Sequence, residues 1–198
     1  TEWRALPAGI GPNGRTTGRP RMAVGPDGFA VLAWLDADAG GAVRAARSGI
    51  SSWTALGTPQ LGPAPPADLV PTTLALAVDG NNRPLIGWAQ GTGDAYATYA
   101  RRWDGSAWQP FDGAPSNAVR LGAFALGVNS SNQPVIAVTE PGAGDHLVRH
   151  FRHTGVGWSS PGLLSVDGRL VGLALAVPPS QFDSVVVGWL RTQPGSNL

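Results

Sequence analysis

This sequence predicts an all-β chain made of repeated four-stranded units, and three observations predict it. Apolar runs ending in a bulky residue recur as AVLAW at Trp34, PLIGW at Trp88, PVIAV at Val138 and VVVGW at Trp189, at intervals of 54, 50 and 51 residues. A second tryptophan series, Trp3, Trp53, Trp108 and Trp158, keeps intervals of 50, 55 and 50. Two independent markers holding one period are the signature of a repeat architecture. Third, no segment sustains a helical period, while the 28 Gly and 18 Pro punctuate the chain at short intervals.

Each repeat divides into four strands. Strand a is apolar: Met22–Val24, Leu74–Val78, Phe124–Val128 and Leu173–Val177. A turn follows, GPDG, DGNNRP, NSSNQP or PPSQFD, rich in residues that adopt turn geometry or bond their own backbone. Strand b is the run ending at the first marker. Strand c is more polar, near Val43–Ala46, Tyr96–Arg102 and Leu147–His153, and strand d begins at the second marker. Strands a and b are apolar on consecutive residues, which predicts burial on both faces. Inner strands sandwiched between neighbouring units have that environment in a β-propeller of four-stranded antiparallel blades. A β-sandwich is the competing architecture, but it does not explain a fifty-residue internal period.

The chain reads as one propeller domain, 1–198, of about three and a half blades. Residues 1–10 form an isolated strand d; 20–61, 71–115 and 119–166 form blades; 167–198 form a partial blade. Three arrangements remain open: a piece of a longer propeller, two chains sharing a larger ring, or a four-bladed ring that closes imperfectly. Closure matters because an open arc exposes inner-strand surface.

Composition bounds the function. The formal net charge of +1, from fourteen Arg and no Lys against 13 acidic residues, offers no general attraction to nucleic acid. Arg101 and Arg102 are the nearest thing to a basic patch. With no Cys, disulfides and thiolate chemistry are excluded. No apolar stretch reaches the roughly 18–20 residues that span a bilayer, so membrane insertion is not expected. No signal peptide is visible at Thr1, which fits a processed or trimmed start.

The c–d turn RRWDGSAW, Arg101–Trp108, resembles the W-x-G-x-x-W repeats of bacterial and fungal fucose-binding propeller lectins and related secreted bacterial propellers. It is also similar to the Asp-box of sialidase-like propellers, though Asp104 directly precedes Gly105 and the turns RSGISSW and RHTGVGW have no Asp. The resemblance implies sugar binding between blades through Arg, Glu and an aromatic ring, and a secreted or cell-surface location. The only glutamates are Glu2 and Glu140, so a repeated Arg/Glu pair is not expected and those sites are not carried over.

Candidate chemistry is sparse. His146 and His150 point to one strand face and His153 to the other, with Asp145 adjacent, and a polar rim strand explains them better than a metal site. Asp27, Asp79 and Asp104 fall in turns, where Asp bonds local backbone. No Glu is placed to activate Tyr96 or Tyr99, and no G-x-S-x-G elbow or phosphate loop occurs. Asn129 begins a formal glycosylation sequon. Trp53, Trp108 and Trp158 are expected to pack between blades. The b–c loops LDADAGG, AQGTGD, TEPGAG and LRTQPGSN vary while the scaffold repeats, as functional loops do. Trp34, Trp88 and Trp189, with Asp36, Asp38, Asp94 and Glu140, are therefore the candidate ligand-binding residues, although blade packing competes as the role of the tryptophans.

The leading expectation is a non-catalytic binding or scaffold module, not an enzyme, that engages a protein partner or another copy of itself. The alternatives are a carbohydrate-binding lectin and the propeller part of a glycoside hydrolase. No cofactor, no metal and no nucleic-acid partner are expected.

Overall fold

A computed structural model of the chain describes residues 19–36, 42–59, 73–92, 95–111, 123–141, 146–166, 170–177 and 185–191. The expected strand at residues 1–10 lies outside them, as do the tips of the b–c loops. Three antiparallel sheets of four strands and one of two account for the described chain, each in sequential order. The first holds β1 (Arg21–Val24), β2 (Ala30–Asp36), β3 (Ala42–Ser48) and β4 (Trp53–Ala55). The second holds β5 (Thr73–Val78), β6 (Pro84–Thr92), β7 (Ala95–Trp103) and β8 (Trp108–Pro110). The third holds β9 (Phe124–Val128), β10 (Pro134–Pro141), β11 (His146–His153) and β12 (Trp158–Val166), and the fourth pairs β13 (Leu170–Ala176) with β14 (Val186–Arg191). The described residues contain no helix.

The outer strands β4, β8 and β12 begin at the tryptophans of the second series. The b strands run two to four residues beyond their first marker, because pairing with the polar c strand continues after the apolar run ends. In β6 the ladder extends from Leu85–Arg102 to Thr92–Ala95.

The sheets pack in sequence through their innermost strands, β1 on β5, β5 on β9 and β9 on β13. That is a fan of blades rather than two opposed layers, so the sandwich alternative does not describe this chain. Between blades 1 and 2, Val31, Ala33 and Leu35 meet Leu74, Ile86, Trp88 and Trp108. Between blades 2 and 3, Leu85 and Ala100 meet Phe124, Leu126, Ile136, Val138 and Phe151. In β10 the four consecutive residues Val135–Val138 are all fully buried. A strand excluded from water on both faces is the physical meaning of the unbroken apolar run. Steric fit sharpens the second seam: a Cβ on Gly87 would stand 2.8 Å from the Phe124 ring, so the ring fills space that a side chain would take.

The three described a–b turns are wound by their own side chains, while the fourth, PPSQFD, lies outside the described residues. The Asp79 Oδ1 accepts from the backbone N–H of Asn81 and Arg83, and the Asn129 Oδ1 accepts from Ser131 and Gln133. The fourth position of the turn takes positive φ, with Gly28 at 80°, Asn82 at 61° and Asn132 at 59°. Asparagine tolerates that region better than most side chains. Here it also ties blades together. The Asn82 Oδ1 accepts from the Asp27 N–H at 2.9 Å, and the Asn132 Oδ1 accepts from the Gly80 N–H at 2.8 Å. Each clasp reaches back to the turn of the preceding blade.

Replacing Asn132 with Gly keeps the backbone conformation while deleting the clasp. The expected loss is about 1 kcal/mol in urea unfolding, one net hydrogen bond. Ile136→Ala, at a site with no exposure, is expected to cost about 2–5 kcal/mol. An unchanged midpoint for either variant contradicts its assigned role.

Candidate functional site

Strand register places equivalent residues of the blades in parallel. Trp34 pairs with Arg44, Trp88 with Tyr99 and Val138 with Arg149, each b-strand marker opposite a c-strand residue. Two residues further along b, at the end leading into the b–c loop, stand Asp36 in blade 1 and Glu140 in blade 3. The Asp36 carboxylate accepts from Arg44 Nε at 3.2 Å, and the Glu140 carboxylate accepts from Arg149 Nε at 3.3 Å. Arg44 also donates to the Thr58 hydroxyl at 2.7 Å. All four charged side chains are partly exposed. Blades 1 and 3 thus repeat an acid–guanidinium pair at the same strand position.

Blade 2 builds something different there. Tyr99 stacks on Trp88 with centroids 5.3 Å apart and planes 17° from parallel. The Arg101 guanidinium carbon lies 5.9 Å from the Trp88 ring and 6.0 Å from the Tyr99 ring, and Arg101 donates to the Ala100 carbonyl at 2.8 Å. Burial pushes the Arg101 guanidinium below its ordinary pKa, with Tyr99 working in the opposite direction. A cation held against two aromatic faces is favourable where water is scarce.

The structure separates the seven predicted site residues. Trp88 is 4% exposed and lies in the seam between blades 1 and 2, so its ring is a packing element with no face open to a ligand. Trp34 is half-buried, and Trp189 is exposed on the last blade. Asp36 and Glu140 are held in ion pairs. Asp38 and Asp94 lie outside the described residues. Arg44 and Arg149 were not singled out from the sequence, because a repeated Arg/Glu pair was ruled out and the acid alternates between Asp36 in blade 1 and Glu140 in blade 3. The available signal was an acid two residues beyond the marker, with Arg eight or nine positions later.

The turn aspartates do what their position implies. The Asp104 Oδ1 accepts from the N–H groups of Ser106 and Ala107 and from the Ser106 hydroxyl, while its Oδ2 accepts from the Gln109 amide. These bonds, the Ala107 N–H foremost, hold the carboxyl well below the usual carboxylate range. The Trp108 indole donates to the Leu56 carbonyl of blade 1 at 2.6 Å, joining the outer strands of two blades. One seam further on, Phe111, His153 and Trp158 form an edge-to-face cluster. His153 is buried, and its Nδ1 accepts from the Gly155 N–H at 3.0 Å. Burial and then Arg152 lower the His150 pKa. Among the described residues, no group of three or more His, Asp or Glu is placed to hold a metal ion.

No protein-family model matches this sequence, and no curated protein matches it significantly. Solved structures do share its backbone. A fructofuranosidase from Schwanniomyces occidentalis complexed with fructose superposes at TM-score 0.51 with 13% identity, over 88% of this chain and 41% of that one. A variant of that enzyme complexed with fructosylnystose gives TM-score 0.56 and 13% identity, over 89% of this chain and 40% of that one. The scaffold is a β-propeller. A fucose lectin from Kordia zhangzhouensis in complex with methyl-fucoside aligns over 73% of this chain and 98% of that one, with 13% identity and TM-score 0.41. The propeller chain spans about two-fifths of the length of the fructofuranosidases.

These superpositions correct the expectation that the chain is not an enzyme. That expectation rested on the lack of a linear catalytic motif, and the same blade scaffold is found in fructofuranosidases. A fan of blades brings side chains together from separate repeats, so a missing local motif does not separate catalytic propellers from the rest.

Trp88→Ala is expected to lower stability by about 3–5 kcal/mol, as a large buried aromatic does, and Trp189→Ala by clearly less. Equal effects in urea titrations contradict the burial assignment. The depressed Asp104 carboxyl stabilises the fold above its unfolded pKa of roughly 4, and that stability is lost as pH falls. The urea midpoint of Asp104→Asn is therefore expected to fall less between pH 6 and pH 3 than that of the unaltered chain. Parallel pH profiles contradict this.

Proposed function

We propose that this chain is a carbohydrate-recognising propeller unit whose sugar-facing surface is the b–c end of its blades. The observation that carries the reading is the repeated pair Asp36–Arg44 and Glu140–Arg149, partly exposed at equivalent strand positions. A carboxylate accepts from two sugar hydroxyls, and a guanidinium donates to hydroxyl and ring oxygens in a fixed fork. Because each pair is assembled before the ligand arrives, little side-chain ordering is left for binding to supply. Two pairs in different blades offer two anchoring points, which suits an oligosaccharide better than a single sugar.

The scaffold supports the same direction, since its superposed neighbours were solved with fructose and fructosylnystose. Turnover of the bound sugar belongs to the proposal because the superposed fructofuranosidases share this backbone. A secreted or cell-surface location goes with a glycan ligand.

Calorimetric titration of the full chain with fructosylnystose, alongside a panel of neutral oligosaccharides, tests the proposal. Saturable binding is expected for at least one of them, weakened tenfold or more by Asp36→Asn and by Glu140→Gln with melting temperature unchanged. Absence of binding across the panel, or binding indifferent to both substitutions, overturns it. Release of reducing sugar from the ligand that binds reads out turnover in the same samples.

A further inference from the structure

The two ends of the blade fan carry apolar surface that every interior blade buries. On the front of blade 1, Met22 pairs with Leu32 and Val24 with Ala30, which puts Met22, Val24, Leu32 and Trp34 on one face. Their equivalents in blade 2, Leu76, Val78, Ile86 and Trp88, are packed against blade 1. Met22 and Val24 are instead 61% exposed. On the back of the last blade, Val186 and Leu190 are 57% and 70% exposed, with Ala174, Ala176 and Gly188 open beside them. The positions equivalent to Val186, Gly188 and Leu190 in blade 1 are Val31, Ala33 and Leu35, all buried against blade 2. No packing comparable with the interior seams joins the first sheet to the fourth among the described residues.

From this we infer that the front of blade 1 and the back of the last blade are the two halves of an intermolecular seam, and that the occupant of each is a second copy of this chain. The faces are complementary because they repeat the front-to-back contact that the interior blades make with one another. Such a contact is heterologous, joining different patches, and it generates rings when its rotation closes. Within the chain this contact already repeats in sequence, β1 on β5, β5 on β9 and β9 on β13.

The front face also differs from interior joints in one respect. Gly28 stands where Asn82 and Asn132 reach back to clasp the preceding turn, and nothing lies within 4 Å of a Cβ built there. The joint in front of blade 1 is therefore held by apolar packing without the hydrogen-bonded tie found within the chain. That suits a seam between separate chains.

Sedimentation velocity on the full chain from 2 to 200 µM tests this directly. Concentration-dependent association is expected. Leu190→Asp on the back face and Met22→Asp on the front face should each weaken it at least tenfold. Both side chains are exposed within one chain, so the circular dichroism spectrum should not change, and Val24→Lys provides a second front-face variant. The decisive sample mixes Leu190→Asp with Met22→Asp. One unspoiled front-to-back seam can then form, and association stronger than in either variant alone is expected. A monomer throughout, association insensitive to both faces, or no recovery on mixing overturns the inference. Sugar binding is read by a separate experiment, so failure of one proposal leaves the other standing.

Discussion

Burial of inner strands between blades is the interaction on which the rest of this structure depends. A single four-stranded sheet has two faces and no means of covering both, and in this chain each sheet supplies the cover for the next. The residues Val135–Val138 show the result: four adjacent side chains, pointing alternately to opposite seams, and none of them wet. At roughly 25 cal/mol per Å² of apolar area removed from water, consecutive seams of this kind supply the main driving force for folding. Polar contacts refine that arrangement. Asn82 and Asn132 fix how far one turn stands from the turn before it, and the Trp108 indole does the same at the outer strands.

The same constraint explains where chemistry can reside. Side chains midway along the inner strands are committed to seams, as Trp88 is, and Arg101 is drawn in with it. Freedom returns at the strand ends, where the ladder outlasts the apolar run and Asp36 and Glu140 emerge beside Arg44 and Arg149. Each acid stands within ion-pair distance of a guanidinium on the neighbouring c strand. The pairing presents donors and acceptors together at the rim of the fan.

Fold and activity separate clearly in this molecule. Superposition on fructofuranosidases at 13% identity establishes a common backbone, and a common backbone is compatible with both binding and catalysis. The end blades carry a different message. Strands β1 and β14 have the composition of interior strands and the exposure of surface ones, the mismatch on which the proposed seam between copies rests.

The repeat, its four strands and the starts of the outer strands were legible in the sequence, because period and burial follow from which side chains avoid water and where Gly, Asn and Asp permit a turn. The turn roles of Asp79 and Asp104 were legible for the same reason, since their hydrogen bonds reach only two to five residues along the chain. Tertiary structure alone decided that Trp88 is closed off, that Asn132 reaches across 52 residues to Gly80, and that Asp36 and Glu140 meet arginines from a neighbouring strand. Those facts depend on register between strands and on the stacking of one blade against another. A linear pattern of polarity records which residues avoid water, but not which neighbours they find when they do.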